Sequence, residues 1–129
     1  MVNKKTRILN MLKEHYYFQE CILENISFQD YGTTIVLTFN YVWSKDYKIR
    51  PNLDEKQTIN LRFSSVNRIV IDNELSDSVI CEPEMINWGF NEISKINLIE
   101  APNSKFIQVE ILWETKRKIL IEFYNMGLV

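Results

Sequence analysis

Imidazole and thiol groups, the side chains best suited to nucleophile–base pairs and soft metal sites, are few: one histidine, His15, and two cysteines, Cys21 and Cys81. His15 and Cys21 are close enough in the chain to be tried as a base and nucleophile. That pairing needs a sharp bend between them and a third group to orient the imidazole. One histidine with two widely separated cysteines matches no zinc spacing, and no loop alternates acids around a central glycine as a calcium site requires. Phosphate cradles need glycines so that backbone amides can approach the ligand, and Gly32, Gly89 and Gly127 are isolated from one another. Carboxylate pairs such as Glu82 and Glu84 suit acid–base work only inside a pocket. The expectation is a protein with no catalytic residue, no metal and no cofactor, and not an enzyme.

Charge is distributed more tellingly than it is summed. Residues 1–70 carry ten Lys/Arg against seven Asp/Glu, whereas residues 71–129 carry five against ten. Between residues 72 and 100 the acids Asp72, Glu74, Asp77, Glu82, Glu84, Glu92 and Glu100 are set against Lys95 alone, beside the bulky side chains of Met85, Ile86, Trp88 and Phe90. Acids steer a basic partner, and aromatic or methionine anchors hold it once it has docked. Asp77, Glu82, Glu84, Met85, Trp88, Phe90 and Glu92 are therefore the candidate partner-binding residues. The bland reading, somewhat favoured, is that Trp88 and Phe90 tuck into the core as a lid on the sheet.

These residues must be positioned by a sheet. Ile35, Leu37, Phe39, Tyr41 and Trp43 alternate with Thr34, Val36, Thr38, Asn40 and Val42, the period of a strand with one buried face. Ile59, Leu61 and Phe63 repeat the device, as do Ile107, Val109, Ile111 and Trp113, then Ile119, Ile121 and Phe123. Alternation of this kind marks antiparallel sheet with one wet side. Ahead of the strands, Ile8, Met11, Leu12, His15 and Tyr16 recur at helical spacing, with Asn3 as N-cap and a basic outer face of Lys4, Lys5, Arg7 and Lys13.

A first strand is expected around residues 20–28, with Ile22, Ile26 and Phe28 on one side, then a turn at Asp30-Tyr31-Gly32. Residues 44–56 read as an exposed loop. Strands near 57–64 and 67–72 read as either a tight hairpin or one bulged, bent strand, and strands near 94–100, 106–114 and 118–125 follow. The fold class is α+β and mainly β: an N-terminal helix on a curved antiparallel sheet, a meander of sandwich-like or half-barrel form.

A chain of 129 residues, 46% hydrophobic and 25% charged, makes one domain over residues 1–129 with a core large enough to need no staple. No apolar run reaches the ~20 residues of a membrane span or forms a signal peptide. The expected location is the cytoplasm, where both cysteines stay reduced. Abundant Ile, Asn and Lys beside a single alanine, Ala101, is the usage of an AT-rich bacterial genome.

From residue 18 onward the pattern resembles the small bacterial immunity proteins encoded beside polymorphic or contact-delivered toxins. The stretches that carry the likeness are Phe18-Gln19-Glu20-Cys21-Ile22-Leu23, Thr34-Ile35-Val36-Leu37, Leu61-Arg62-Phe63-Ser64-Ser65-Val66 and Lys118-Ile119-Leu120-Ile121-Glu122-Phe123. Gln19-Glu20 stands where many of those proteins have His-Asp, so no role is carried over to these two positions. The resemblance implies a cytoplasmic protein that binds and blocks one cognate toxin without chemistry of its own; the acidic stretch adds the expectation of a basic toxin domain as that partner, and neither nucleic acid nor membrane is expected. The alternative expectation is a small-molecule or lipid binder whose cavity, between helix and sheet, is lined by Phe39, Tyr41, Trp43 and Trp113. The oligomeric state is not legible.

Overall fold

In the computed structural model the described residues are 3–41, 44–49, 58–72, 81, 92–115 and 117–129. Helix α1, Lys4–Glu14, begins where the Asn3 side chain accepts the Thr6 amide at 2.8 Å, which satisfies one of the amide donors a helix start leaves unpaired. Ile8 and Leu12 are fully buried and Met11 packs beside them. The basic face reaches across to the sheet: Arg7 Nη2 donates to Asn125 Oδ1 at 2.6 Å and to the Met126 carbonyl at 3.0 Å, and the Lys4 ammonium lies 3.2 Å from the centroid of the Tyr124 ring.

The strands are β1 Ile22–Gln29, β2 Thr34–Asn40, β3 Thr58–Asp72, β4 Lys95–Ile99, β5 Ile107–Leu112 and β6 Lys118–Leu128. They form one six-stranded sheet in the order β1-β2-β3-β6-β5-β4, antiparallel at every step. This is two three-stranded meanders joined through β3 and β6, rather than a single continuous meander. The alternating rows face inward as their period requires: Ile35, Leu37 and Phe39 pair with Phe63, Leu61 and Ile59, and Ile107, Val109 and Ile111 pair with Phe123, Ile121 and Ile119. All of these side chains are buried. Phe63 and Phe123 meet edge to face at 5.0 Å between ring centroids, an arrangement favoured by the ring quadrupoles.

Of the two readings for residues 57–72, the bulged strand is the one observed. β3 runs unbroken, with Ser65 at φ 50° and a register shift between Val66 and Arg68. The bulge bends the strand and so curves the sheet. The sheet does not close into a barrel, yet its edges touch at one end, where Ile22 and Glu92 form an isolated antiparallel bridge. The Glu20 amide donates to the Ile93 carbonyl at 2.9 Å and the Ile93 amide to the Cys21 carbonyl at 2.8 Å.

Two local expectations are corrected. Residues 44–49 are not an exposed loop: Ser44 and Asp46 are buried, and Lys45–Ile49 form a short helix, α2. The Tyr41 hydroxyl donates to Asp46 Oδ2, which gives the buried carboxylate the partner it needs. Phe28 shares a face with its fully buried partner Ile35 but is itself 54% exposed. It sits on the outermost strand, next to the β1–β2 turn, where no further strand among the described residues flanks it. Trp43 and residues 50–57 lie outside the described residues. Among the described residues no helix is long and apolar enough to cross a membrane.

Candidate functional site

The chain between α1 and β1 holds an unusual backbone. Tyr16, Tyr17 and Phe18 have φ of 51°, 56° and 57°, and Glu20 has 66°, a left-handed conformation that costs L-residues roughly 1–2 kcal/mol each. Its neighbours hold it there. Phe18 is fully buried, 5.4 Å from the Phe39 ring, and the Lys45 amide donates to the Gln19 carbonyl at 2.8 Å. The turn carries Cys21 inward and leaves Gln19 and Glu20 at the seam where the two sheet edges meet.

A cleft of about 580 Å³ opens at this seam. Gln19 and Glu20 form one wall, Glu92, Ile93 and Ser94 another, and Trp113, Glu114 and Thr115, from the end of β5, the third. Three acidic residues thus line one opening. Glu20 is paired with Lys48 of α2 at 3.1 Å, whereas Glu92 and Glu114 have no ion-pair partner among the described residues. The three are too dispersed to hold one metal ion, and no group of His, Cys, Asp or Glu among the described residues is suited to doing so.

Trp113 lines the same cleft. It is only 6% exposed, the Arg117 guanidinium lies 4.6 Å from its ring centroid, and its indole Nε1–H has no hydrogen-bond acceptor among the described residues. A buried donor left unmatched costs roughly 1–3 kcal/mol, and native structures keep few of them. Burial also lowers the Arg117 pKa from its ordinary value.

His15 and Cys21 are each held in packing roles. His15 Nδ1 donates to the Met11 carbonyl at 2.9 Å, and its ring stacks on Phe18 at 5.3 Å and meets Tyr41 edge-on at 5.7 Å. These contacts occupy the imidazole in packing the end of α1. Cys21 is fully buried, and its thiol pKa is pushed far above the usual range, first by burial and then by the carboxylates of Asp46, Glu20 and Glu92. A thiol so held stays protonated and a poor nucleophile.

Of the seven residues singled out from the sequence, Glu92 lies on the cleft wall, half-buried and bridged to Ile22. Asp77, Glu82, Glu84, Met85, Trp88 and Phe90 lie outside the described residues. Glu20, Glu114 and the unmatched indole of Trp113 were missed. Their common address depends on the bridge between the sheet edges, and no local pattern announces that. Away from the cleft, Tyr31 projects fully into solvent from the β1–β2 turn.

No family model matches this chain, and no curated protein does. Among solved structures it is similar to the crystal structure of an uncharacterized protein from Neisseria gonorrhoeae, with 18% sequence identity and a TM-score of 0.56. The match covers 86% of this chain and 91% of that one. At this identity the likeness shows a shared fold and no more.

Proposed function

We propose that this chain is a non-catalytic protein-binding module, and most concretely a cytoplasmic immunity protein that neutralises a cognate bacterial toxin. The observation that carries the reading is the position of Glu92. The one described member of the seven predicted binding residues lies on a cleft that Glu20 and Glu114 make acidic from two other parts of the chain. Acidic groups gathered from separate segments onto one opening favour encounter with a basic surface. The likeness of the strand pattern to immunity proteins points the same way. A ligand cavity between helix and sheet draws less support, because Phe39, Tyr41 and Trp113 are buried and Phe18, Ile8 and Leu12 fill the space beside the sheet.

The test is to sequence the neighbouring genes, co-express the chain with the carboxy-terminal domain of any large toxin found there, then score survival and isolate the complex. Rescue from toxicity with a stable complex is the expected result. A neighbouring toxin domain that stays lethal and unbound, or a neighbourhood with no toxin gene, would sink the proposal.

A further inference from the structure

We propose that a groove of about 410 Å³, running from α1 onto the outer face of β3 and β6, binds a phosphate monoester, a place and a chemistry that the toxin reading does not involve. The sheet register builds the groove. Phe63 and Met126 are paired and buried, so their neighbours Arg62, Ser64, Asn125 and Gly127 share the opposite face. Arg62 stands opposite Gly127 and Ser64 opposite Asn125, which spaces the four positions by roughly 5 Å across the strands and roughly 7 Å along them. Arg7 completes the group from α1, its Nη2 held by Asn125 Oδ1 and the Met126 carbonyl. These five residues all line the one groove.

What the groove offers is donors. The Arg62 guanidinium and the Ser64 hydroxyl have no partner among the described residues. Arg7 uses only Nη2 and keeps Nε and Nη1, and Asn125, whose Oδ1 accepts from Arg7, keeps its amide N–H groups. No Asp or Glu lines the groove, so two positive side chains share it without a negative one. Gly127 supplies the space: a Cβ there would meet nothing within 4 Å, so the ladder opposite Arg62 is left uncovered. Two guanidinium groups exclude a cation, and a carboxylate balances only one of them. A phosphate monoester carries nearly two charges at neutral pH and three strong acceptor oxygens, enough for both forks together with the hydroxyl and the amide. A phosphodiester, as in a nucleic-acid backbone, brings one charge.

The experiment titrates the full chain, labelled with nitrogen-15, and follows the Gly127 amide resonance, assigned by Gly127→Ala. The probes are methyl phosphate, dimethyl phosphate, acetyl-Gly-phosphoserine-Gly-amide and a tetrathymidylate without terminal phosphate. Methyl phosphate should move the Gly127 amide and bind about tenfold more tightly than dimethyl phosphate. Arg62→Gln should weaken methyl phosphate about tenfold, and Gly127→Glu, which sets a carboxylate opposite Arg62, should abolish its binding. Arg68→Gln, the same charge change at an exposed position of β3 beyond the bulge, should leave affinity unchanged. All three substitutions fall on the outer face of the sheet, and circular dichroism checks that each variant is folded. Tighter binding of the phosphoserine peptide than of methyl phosphate would place the ester on a protein, and equal binding on a free small molecule; either supports the phosphate site. An unmoved Gly127 amide, equal binding of the two methyl esters, or a loss on Arg68→Gln matching that on Arg62→Gln would overturn the proposal. The oligonucleotide bound more tightly than methyl phosphate would overturn it in favour of a nucleic-acid surface. Toxin neutralisation is scored separately, so either reading can fail while the other stands.

Discussion

Replacing Tyr31 by glycine should make this protein more stable, although it deletes a large aromatic ring. Tyr31 sits in the β1–β2 turn at φ 59° and ψ 29° and is 109% exposed, so truncation forfeits no packing. Its Cβ crowds the following carbonyl in that left-handed conformation, at a cost of roughly 1–2 kcal/mol. Glycine removes the crowding but gives the unfolded chain more freedom, worth roughly 0.5–1 kcal/mol in the opposite direction. The net expectation is a gain of about 0.5–1 kcal/mol. Tyr31→Ala keeps the Cβ and should be close to neutral, and Tyr31→Val should be the worst of the three, because a β-branched side chain fits φ > 0 least well. Urea denaturation followed by circular dichroism reads the order directly, as midpoint shifts at constant slope. Glycine less stable than alanine would refute the argument, and would mean that the freedom glycine gives the unfolded chain outweighs the strain it relieves.

The interior carries larger costs. Phe39→Ala should destabilise by about 3–5 kcal/mol and Leu37→Ala by about 2–5 kcal/mol, through lost burial plus cavity, since both side chains are fully buried; chemical denaturation changes below 1 kcal/mol would contradict the inward facing of β2. In native protein, an alkylating reagent at pH 8 should label the exposed Cys81 and spare the buried Cys21, and mass spectrometry can locate the label. Because the folded thiol of Cys21 is raised, the unfolded state releases its proton first. Stability contributed below the unfolded thiol value of about 8.5 should therefore fall as pH climbs past it. The difference between wild type and Cys21→Ala, followed from pH 8 to 10.5 by urea titration, should show wild type losing up to ~1.4 kcal/mol per unit; parallel curves would contradict the shift. If the proposed function holds, His15→Ala should leave toxin neutralisation intact apart from a modest loss of stability at the end of α1, and loss of neutralisation in a folded variant would mean the imidazole does more than pack.

Much of the fold could be read because period two is hard to mimic. The inward rows of β2, β5 and β6 follow directly from alternation, and the buried stripe of α1 follows from its 3.6-residue spacing. Reading weakened where polar residues are buried or apolar ones exposed for tertiary reasons. Ser44 and Asp46 look like loop residues, yet the Tyr41 hydroxyl makes a carboxylate tolerable inside. Ser64-Ser65 looks like a hairpin turn, but the β6 ladder continues across it. The cleft was the least legible feature. Glu20, Glu92 and Glu114 are ordinary surface acids in sequence, and the bridge from Ile22 to Glu92 that gathers them joins segments far apart in the chain.

The way the two meanders join also sets an order of events for a growing chain. β1, β2 and β3 pair by local reversals, so the first half can assemble as soon as residue 72 has been made. The second long edge of β3 must then wait for β6, the last of the six strands to be synthesised. Throughout that interval β3 offers unpaired amides and carbonyls beside the inner row of Ile59, Leu61 and Phe63, the kind of edge that recruits strands from other chains. Slow synthesis between residues 72 and 118 should therefore promote aggregation, and a separately supplied β4-β5-β6 fragment should suppress it by occupying the waiting edge.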